Sequence, residues 1–274
     1  MKITPVTSAH NAALKRIRTL HERAGREKEG LFLLEGAKLL NEALARNITV
    51  HDVVVSQSFW TDGLPNVDQS GLSQSGLSSI SVVEDKLFKD LMTTQSPSGV
   101  IAVGSARQFS FADCLRSEDS LVVVGESIQD PGNAGTLIRA ALAFGASGVV
   151  LTKGSVDAYN PKVVRAAMGA LFAVPIVAGI ETAALAKQLK SANVRIIALE
   201  ASAGTRLGDA NLRGNLAIVL GNEGNGLSQQ ALNLADELVN IPMTETTESL
   251  NVAVCGSIVL YQCAEQRRQN LEQR

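Results

Sequence analysis

The chain has few cysteines and no long apolar run. Its 274 residues include three cysteines, Cys114, Cys255 and Cys263, which are scattered and odd in number. They make neither a disulfide framework nor a CxxC metal pair, so a reduced cytoplasm is the expected compartment. The longest apolar runs, such as 121–124, fall far short of the roughly 20 residues that span a bilayer. The beginning, MKITPVTSAHNAALKR, has no apolar core of the kind found in secretory signals.

Histidine is missing from the second half of the chain, because His10, His21 and His51 are its only histidines. Nucleophilic chemistry of the Ser–His or Cys–His type is therefore not expected there. There is no HExxH motif and no Cys/His cluster, so no metal is expected. What remains is chemistry by positioning, in which a bound cofactor carries the activated group.

The formal net charge of −2 gives no sign of a nucleic-acid partner, but the charge is unevenly distributed. Residues 1–28 hold seven lysines and arginines against Glu22 and Glu27, an excess of five positive charges. Such a patch can make salt-sensitive phosphate contacts. Taken alone, it is more often a solvated helix face.

The pattern of apolar residues changes near residues 107–119. Before this point we expect helices at 11–23 and 36–46, strands at 31–34, 52–56, 80–83 and 99–105, and an exposed loop at 66–79. After it, strands at 121–125, 148–152, 173–177, 194–199, 216–220 and 238–241 alternate with helices at 134–144, 161–170, 181–191, 228–233 and 250–268. The predicted fold is α/β, with a mostly parallel sheet covered by helices on both faces and a smaller N-terminal α/β domain. The expected domains are 1–107 and 120–274, joined by a linker at 108–119.

Three stretches of the second half share one design. They are Asn133–Gly145 (NAGTLIRAALAFG), Ile218–Ser228 (IVLGNEGNGLS) and Ile241–Val254 (IPMTETTESLNVAV). Each starts near the end of a predicted strand and runs towards a helix. Ligands of open α/β sheets bind outside the carboxyl ends of the strands, so the three stretches could meet at one pocket.

Each stretch also has a plain structural interpretation. The glycines at 221–226 could form an ordinary strand-to-helix turn with Ser228 as the helix cap. Ser249 stands where an N-cap is expected, and Arg139 could be a surface arginine on a helix. The GxxGxG spacing differs from the dinucleotide fingerprint, and no Walker loop is present. A doubly wound nucleotide enzyme is therefore the weaker alternative.

Together and in this order, the three stretches resemble the motifs of the SpoU (TrmH-like) RNA ribose 2′-O-methyltransferases of the SPOUT superfamily. More weakly, SAHNAALKRIRTL and FLLEGAKLLNEAL resemble the L30e-like RNA-binding domain that many such enzymes carry. The resemblance implies a SPOUT-type trefoil knot near the C-terminus. It also implies a homodimer to which the long C-terminal helix contributes.

The resemblance also implies roles for individual residues. Arg139 would be the principal catalytic residue, accompanied by Asn133, Glu223, Ser249 and Asn251. S-adenosylmethionine would be held by Leu199, Gly221, Ile241, Met243 and Leu250. RNA would be bound by Arg16, Arg18, Arg23 and Arg26. Arg139 could act as a base or as an electrostatic stabiliser of the 2′-oxygen.

The sequence thus predicts an S-adenosylmethionine-dependent enzyme that methylates a ribose 2′-OH. Its RNA partner is expected to be ribosomal RNA rather than transfer RNA, because the extra N-terminal domain resembles ribosomal-RNA enzymes. A transfer-RNA 2′-O-methyltransferase and a non-catalytic RNA-binding protein that retains the fold are the alternatives. No membrane and no metal are expected.

Overall fold

The structure is a computed structural model and describes residues 2–92, 98–116, 118–244 and 249–272. These residues form two compact units. The first unit holds the residues up to Arg107 together with the segment Tyr159–Phe172, and the second holds Gln108–Ala158 and the residues from Ala173 onward. The segment Tyr159–Phe172 therefore packs with the first unit although it lies within the second half of the sequence.

The first unit is built on a five-stranded sheet of order β1-β4-β3-β5-β2. Its strands are β1 (Lys2–Val6), β2 (Leu31–Glu35), β3 (Val50–Ser56), β4 (Ser79–Val83) and β5 (Val100–Ser105). Its helices up to Arg107 are α1 (Ala12–His21), α2 (Arg23–Glu29), α3 (Ala37–Ala45), α4 (Gln57–Thr61), α5 (Gln69–Gln74) and α6 (Asp85–Lys89). The sheet is mixed, because β1 and β3 pair with β4 in parallel while β5 runs antiparallel to β2 and β3.

Helix α1 shows how the sequence builds this unit. Leu14, Ile17 and Leu20 recur at helical spacing and are fully buried, as their pattern predicts. The side chain of Asn11 caps the start of the helix by accepting a hydrogen bond from the backbone of Ala13. The helix ends before Glu22, whose extended backbone separates α1 from α2. The helix predicted at 11–23 is therefore α1, which ends two residues earlier, and α2 was not predicted.

The prediction of an exposed loop at 66–79 was wrong at its centre. Asp68 accepts a hydrogen bond from the backbone of Gly71 and caps α5, and Leu72 is only 1% exposed. The cap and two buried leucines, Leu72 and Leu77, order this polar stretch, but a composition rich in Ser, Gly and Gln conceals them. Strand β1 was not predicted either; it contains Pro5 and lies at the edge of the sheet, where proline is tolerated.

The second half continues the element order. Its strands are β6 (Leu121–Gly125), β7 (Gly148–Thr152), β8 (Ile176–Ile180), β9 (Arg195–Leu199), β10 (Thr205–Arg206), β11 (Leu216–Leu220) and β12 (Glu237–Asn240). Its helices are α7 (Pro131–Ala143), α8 (Pro161–Ala167), α9 (Thr182–Ser191), α10 (Gln229–Leu234) and α11 (Val252–Glu272), of which α8 packs with the first unit. The strand predicted at 173–177 begins three residues later, after a short 3-10 turn at Ala170–Phe172.

The seven strands form one sheet of order β10-β12-β9-β11-β6-β7-β8, and every pairing within it is parallel. Strands β6, β7 and β11 are buried along their whole length, as expected for central strands covered on both faces. The predicted fold class is confirmed; the trefoil knot stays a prediction. No helix in the described ranges is long and apolar enough to cross a bilayer.

Helices α7 and α11 pack closely against each other. Gly256 makes this possible, because a Cβ there would lie 2.3 Å from a methyl carbon of Leu137 on α7. The first motif, on α7, and the third motif, which leads into α11, are thereby brought side by side.

Candidate active site

A cavity of about 510 Å³ opens where β9, β11 and β12 end. This volume is in the range of small-molecule sites. All five residues predicted to hold a cofactor line it, and so do four of the five predicted catalytic residues. These lining residues are Leu199, Gly221, Ile241, Met243 and Leu250, with Asn133, Glu223, Ser249 and Asn251.

The turn after β11 is closed by its own backbone. Asn222 and Gly226 exchange backbone hydrogen bonds of 2.9 and 3.0 Å, and the Asn222 side chain donates to the carbonyl of Ser127 at 2.8 Å. A Cβ at Gly221 would lie 2.3 Å from the carbonyl carbon of Gly226. Glycine is required here so that the turn can close. This agrees with the structural interpretation of the glycines as a strand-to-helix turn, and Gly221 lines the cavity as well.

Glu223 lies between the first and second motifs. Its carboxylate accepts hydrogen bonds from the backbone of Gln129 (3.2 Å) and Asp130 (3.1 Å) and from Nδ2 of Asn133 (3.0 Å). Burial raises the pKa of Glu223, but the hydrogen bonds from Asn133 and from these backbone groups outweigh it, so the net shift is downward. The ionised form of the carboxylate is stabilised by N–H donors that the fold already directs at its oxygens.

Asn133 and Asn251 extend this network into the third motif. Nδ2 of Asn251 donates to Oδ1 of Asn133 at 2.8 Å, while Oδ1 of Asn251 accepts from the backbone of Ala253 at 2.9 Å. Asn251 therefore caps α11, which corrects the prediction that Ser249 is the cap. The chain Glu223–Asn133–Asn251, called here the motif network, joins all three motifs and fixes both ends of the Asn133 amide. Residues 245–248 of the third motif lie outside the described residues.

The charge of the cavity is one-sided. Its described lining residues include two carboxylates, Glu200 and Glu223, and no lysine, arginine or histidine. A ligand rich in phosphate would be repelled here, whereas one with a positive centre is favoured. This argues against the doubly wound nucleotide enzyme. Within the described residues, no group of three or more His, Cys, Asp or Glu side chains is placed to hold a metal ion.

Arg139 is the predicted catalytic residue that the structure does not bring to this cavity. It is exposed on α7 and is not among the residues that line the cavity. It lies six residues after Asn133, which places it roughly 9 Å along the helix and on a different face. The cavity and the principal catalytic candidate are therefore separate within one chain.

Comparison with known proteins identifies the family. Residues 120–261 match the SpoU rRNA Methylase family, and residues 11–102 match the MRM3-like substrate binding domain. The chain belongs to the SpoU family. The predicted family, and S-adenosylmethionine as its cofactor, are confirmed.

The similarity to individual relatives extends over nearly the whole of this chain. The 23S rRNA (guanosine(2553)-2′-O)-methyltransferase RlmP of Bacillus subtilis is 30% identical over 93% of this chain and 97% of its own. The AdoMet-bound rRNA methyltransferase from Sinorhizobium meliloti is 26% identical, with a TM-score of 0.84 over 96% of this chain and 98% of its own. A crystal structure of an RNA 2′-O ribose methyltransferase is 31% identical, with a TM-score of 0.82 over 97% of this chain and 100% of its own.

The four arginines expected to bind RNA differ in how exposed they are and in the groups they contact. Arg26 is 5% exposed and donates at 2.8 Å to the carbonyls of Leu20 and His21, at the end of α1. Its guanidinium satisfies carbonyls that the helix leaves without partners. The prediction that Arg26 contacts RNA is corrected, because its charge is committed to the fold.

The other three arginines remain at the surface, but their charges are partly compensated. Arg16 pairs with Asp52 at 2.6 Å, and Arg23 pairs with Glu27 at 2.7 Å. Arg18 donates to the backbone carbonyl of Ala9 at 2.6 Å, so its charge has no carboxylate partner among these contacts. Glu27 is already included in the net excess of residues 1–28, whereas Asp52 lies outside them and offsets one further charge.

Some residues that shape the SpoU site were not predicted. Asp130 caps α7 by accepting from the backbone of Asn133 at 2.8 Å, and the sequence Asp-Pro-Gly could have announced this cap. Asn222, a turn-forming residue among glycines, carried a similar local signal. Glu200 and Cys255 also line the cavity. Glu200 follows the end of a predicted strand, which was a usable signal, whereas Cys255 lies inside α11 and only the packing of distant elements brings it there.

Proposed function

We propose that this SpoU enzyme transfers a methyl group from S-adenosylmethionine to a ribose 2′-OH of ribosomal RNA, in the cytoplasm where that RNA is found. The observation that carries the proposal is the motif network. Three motifs separated in sequence meet through Glu223, Asn133 and Asn251 at the edge of one cavity. The proposal is supported by RlmP, which spans nearly the same length and is named for 2′-O-methylation of 23S rRNA.

The cavity fits the cofactor in chemistry as well as in size. Leu199, Ile241 and Leu250 offer apolar surface to an adenine, and the two lining carboxylates suit a ligand that carries a sulfonium and an ammonium. S-adenosylmethionine, when bound, supplies an electrophilic methyl group, so the protein has no strong nucleophile to generate. The residues of the cavity have to align the acceptor hydroxyl and exclude water.

Arg139 is proposed to act by charge. A guanidinium is effectively always protonated in proteins, so it is a poor base. It can bind the phosphate next to the target ribose with two parallel N–H groups and stabilise the negative charge that develops on the 2′-oxygen. The 2′-proton is then lost to a neighbouring acceptor or to water.

A homodimer would bring Arg139 of one protomer close to the cavity of the other. Four apolar side chains of α7 and α11 are exposed: Leu142 (38%), Val254 (47%), Ile258 (36%) and Tyr261 (50%). An apolar patch of this kind marks an interaction surface. Arg139 lies one helical turn before Leu142, so a second copy seated on this patch would meet Arg139. We propose that Arg139 of one protomer acts at the cavity of its partner.

The function is tested by methylation of defined RNAs. Ribosomal RNA and transfer RNA lacking modifications are incubated with the enzyme and S-adenosylmethionine, and alkaline cleavage is mapped at every nucleotide. We expect one position of ribosomal RNA to resist cleavage, because cleavage needs a free 2′-OH. A methyl group on a base, methylation of transfer RNA alone, or RNA binding without transfer would each contradict the proposal.

The shared site is tested with mixed dimers. Arg139→Ala retains the cavity, and Gly221→Val should destroy it by breaking the turn after β11. If Arg139 serves the partner, a heterodimer of the two inactive variants has one complete site and recovers roughly half of the wild-type rate. If Arg139 serves its own chain, the heterodimer is inactive. Val254→Asp, which places a charge on the patch, should give a monomer without activity.

A further inference from the structure

The unassigned carboxylate of the cavity is Glu200, which follows the last residue of β9. In the sheet, β9 lies between β11 and β12. Glu200 is therefore flanked by the turn that starts at Gly221 and by the strand end that leads to Ile241. Its backbone N–H donates to the carbonyl of Val239 on β12 at 3.0 Å, which anchors this corner of the cavity.

The Glu200 side chain is half anchored. One oxygen, Oε1, accepts hydrogen bonds from the backbone N–H and the hydroxyl of Ser202, at 3.3 and 3.1 Å. Among the described residues, nothing donates to the other oxygen, Oε2. Glu200 is only partly exposed and lines the cavity. A carboxylate so placed is oriented by the protein and still has an oxygen available to a ligand.

Glu223, the other carboxylate of the cavity, differs from Glu200 in its hydrogen bonds. Both of its oxygens are occupied by donors from the protein, among them Gln129, Asp130 and Asn133. It serves the motif network. Of the two acidic residues in the cavity, Glu200 is the one equipped to accept hydrogen bonds from a bound molecule.

The position of Glu200 beside an apolar surface indicates which part of the ligand it meets. Leu199 precedes it, and Ile241 and Leu250 complete the apolar lining. A molecule that seats adenine on these side chains presents the hydroxyls of its ribose next to them. Vicinal hydroxyls and a carboxylate are complementary, and a strand-end carboxylate holds the ribose in many dinucleotide enzymes.

We propose that Glu200 recognises the ribose 2′,3′-diol of the cofactor and so selects adenosyl ligands with both hydroxyls intact. This inference rests on the proposed placement of S-adenosylmethionine in the cavity. Glu200 is a binding residue in this proposal, and it takes no part in methyl transfer. The competing partner for its charge is the α-ammonium of the methionine portion, and the test separates the two.

The experiment is calorimetric titration of the full-length protein with S-adenosylhomocysteine, its 2′-deoxy and 3′-deoxy forms, and 5′-methylthioadenosine. The last retains the diol but has no ammonium. Glu200→Ala should weaken binding of S-adenosylhomocysteine and of methylthioadenosine by the same factor, about 10- to 100-fold, the range for hydrogen bonds to a charged group. Each deoxy ligand should bind the wild type more weakly, and Glu200→Ala should weaken it by a smaller factor than it weakens S-adenosylhomocysteine, because one of the two contacts is already lost, as in a double-mutant cycle.

Two further variants keep the test sharp. Glu200→Gln preserves shape but removes the charge, and it should lose part of the affinity without a change in the apo melting temperature. Glu181→Gln, which alters a carboxylate paired with Lys153 at 2.6 Å, is the matched control and should bind like the wild type.

The outcomes separate the inference from its basis. If the wild type fails to bind S-adenosylhomocysteine at millimolar concentration, the proposed cofactor site is wrong, and the role proposed for Glu200 is wrong with it. If the wild type binds, Gly221→Val abolishes binding and Glu200→Ala binds normally, only the role of Glu200 is overturned. Loss of affinity for S-adenosylhomocysteine but not for methylthioadenosine would assign Glu200 to the ammonium and contradict the proposal.

Discussion

The two units of this SpoU protein use their polar side chains in different ways. In the first unit, several charge pairs lie at the surface, such as Arg23 with Glu27, whose side chains are 62% and 61% exposed, although Arg165 reaches the buried carboxylate of Glu35 at 2.6 Å. In the second, polar groups from distant segments interlock, as in the motif network. The sheets explain the contrast. All strands of the second sheet end at the same edge, so the loops after them meet, whereas the mixed sheet of the first unit distributes its strand ends over two edges.

The largest effect is expected at Arg139, which lies outside the motif network. Arg139→Ala should keep the fold and the affinity for cofactor but lower the rate of methyl transfer by at least roughly 100-fold, the scale of one lost electrostatic contribution. Arg139→Lys should also be badly impaired, because an ammonium cannot reproduce the planar fork. Single-turnover rates with radiolabelled S-adenosylmethionine measure both.

The matched control for Arg139 is Lys187→Ala, which removes an exposed cation from α9 of the same unit. It should retain the wild-type rate. Near-wild-type transfer by Arg139→Ala would show that the interlocked residues of the cavity suffice, and it would remove Arg139 from the site.

The second prediction concerns how the second unit holds its C-terminal helix. Arg267 on α11 donates to the carbonyls of Asp119 and Gly214, each at 2.6 Å, and burial lowers its pKa. Arg267→Ala should lower the free energy of unfolding by about 1.5–3 kcal/mol, the range for hydrogen bonds of a charged group. Urea denaturation measures the loss.

The neighbouring arginine gives the control. Arg268 makes an exposed pair with Glu265, so Arg268→Ala should change stability by less than about 0.5 kcal/mol. Equal effects at both positions would mean that the interlocking of this unit does not extend to α11.

The sequence alone predicts features that depend on neighbouring residues better than features that depend on contacts between distant segments. Strands β6, β7 and β11 have the predicted bounds, because continuous apolar runs are a local signal. The meeting of the three motifs followed from a general rule about parallel sheets. The same rule places Glu200 at this edge, because it follows the predicted strand 194–199, but its position beside the turn at Gly221 depends on β9 lying between β11 and β12, which is a long-range fact.

In the first unit, counting charged residues did not predict what each of them does. The seven cations of residues 1–28 were counted as equal, but the fold assigns them different tasks. Arg26 is buried by contacts with the end of a helix only five and six residues away, a contact that side-chain type does not reveal. Whether a charge is buried depends on how the folded chain packs around it, and composition cannot report that packing.

The third prediction tests the motif network through pH. The pKa of Glu223 is lowered in the folded protein, so its contribution to stability is complete above the pKa of the unfolded chain and is lost as the pH falls through the folded value. Glu223→Gln removes this acid-dependent part and leaves several donors without their acceptor, at a cost of about 1–3 kcal/mol near neutral pH.

Urea denaturation at a series of pH values between neutrality and about pH 3 measures this contribution. The stability of wild type and variant should converge as the solution is acidified. The exposed carboxylate Asp209 provides the control, since Asp209→Asn should leave the difference between neutral and acid stability unchanged. A constant gap between wild type and Glu223→Gln at all pH values would contradict the ionised network.

The smallest effect is expected for Arg18 of the first unit, whose guanidinium contacts the backbone carbonyl of Ala9. If Arg18 contacts an RNA phosphate, Arg18→Ala should reduce the slope of log K against log salt by about 0.7–0.9, the share of one phosphate contact. Fluorescence anisotropy with a ribosomal RNA fragment at several salt concentrations measures it, and cofactor affinity should not change. Arg26→Ala should instead lower the melting temperature and leave the slope unaltered while the unit is folded, because its guanidinium is already bound to Leu20 and His21. If the slope falls for Arg26→Ala and stays constant for Arg18→Ala, the surface arginine is not part of the RNA face, and the division between structural and RNA-binding cations drawn from burial is wrong.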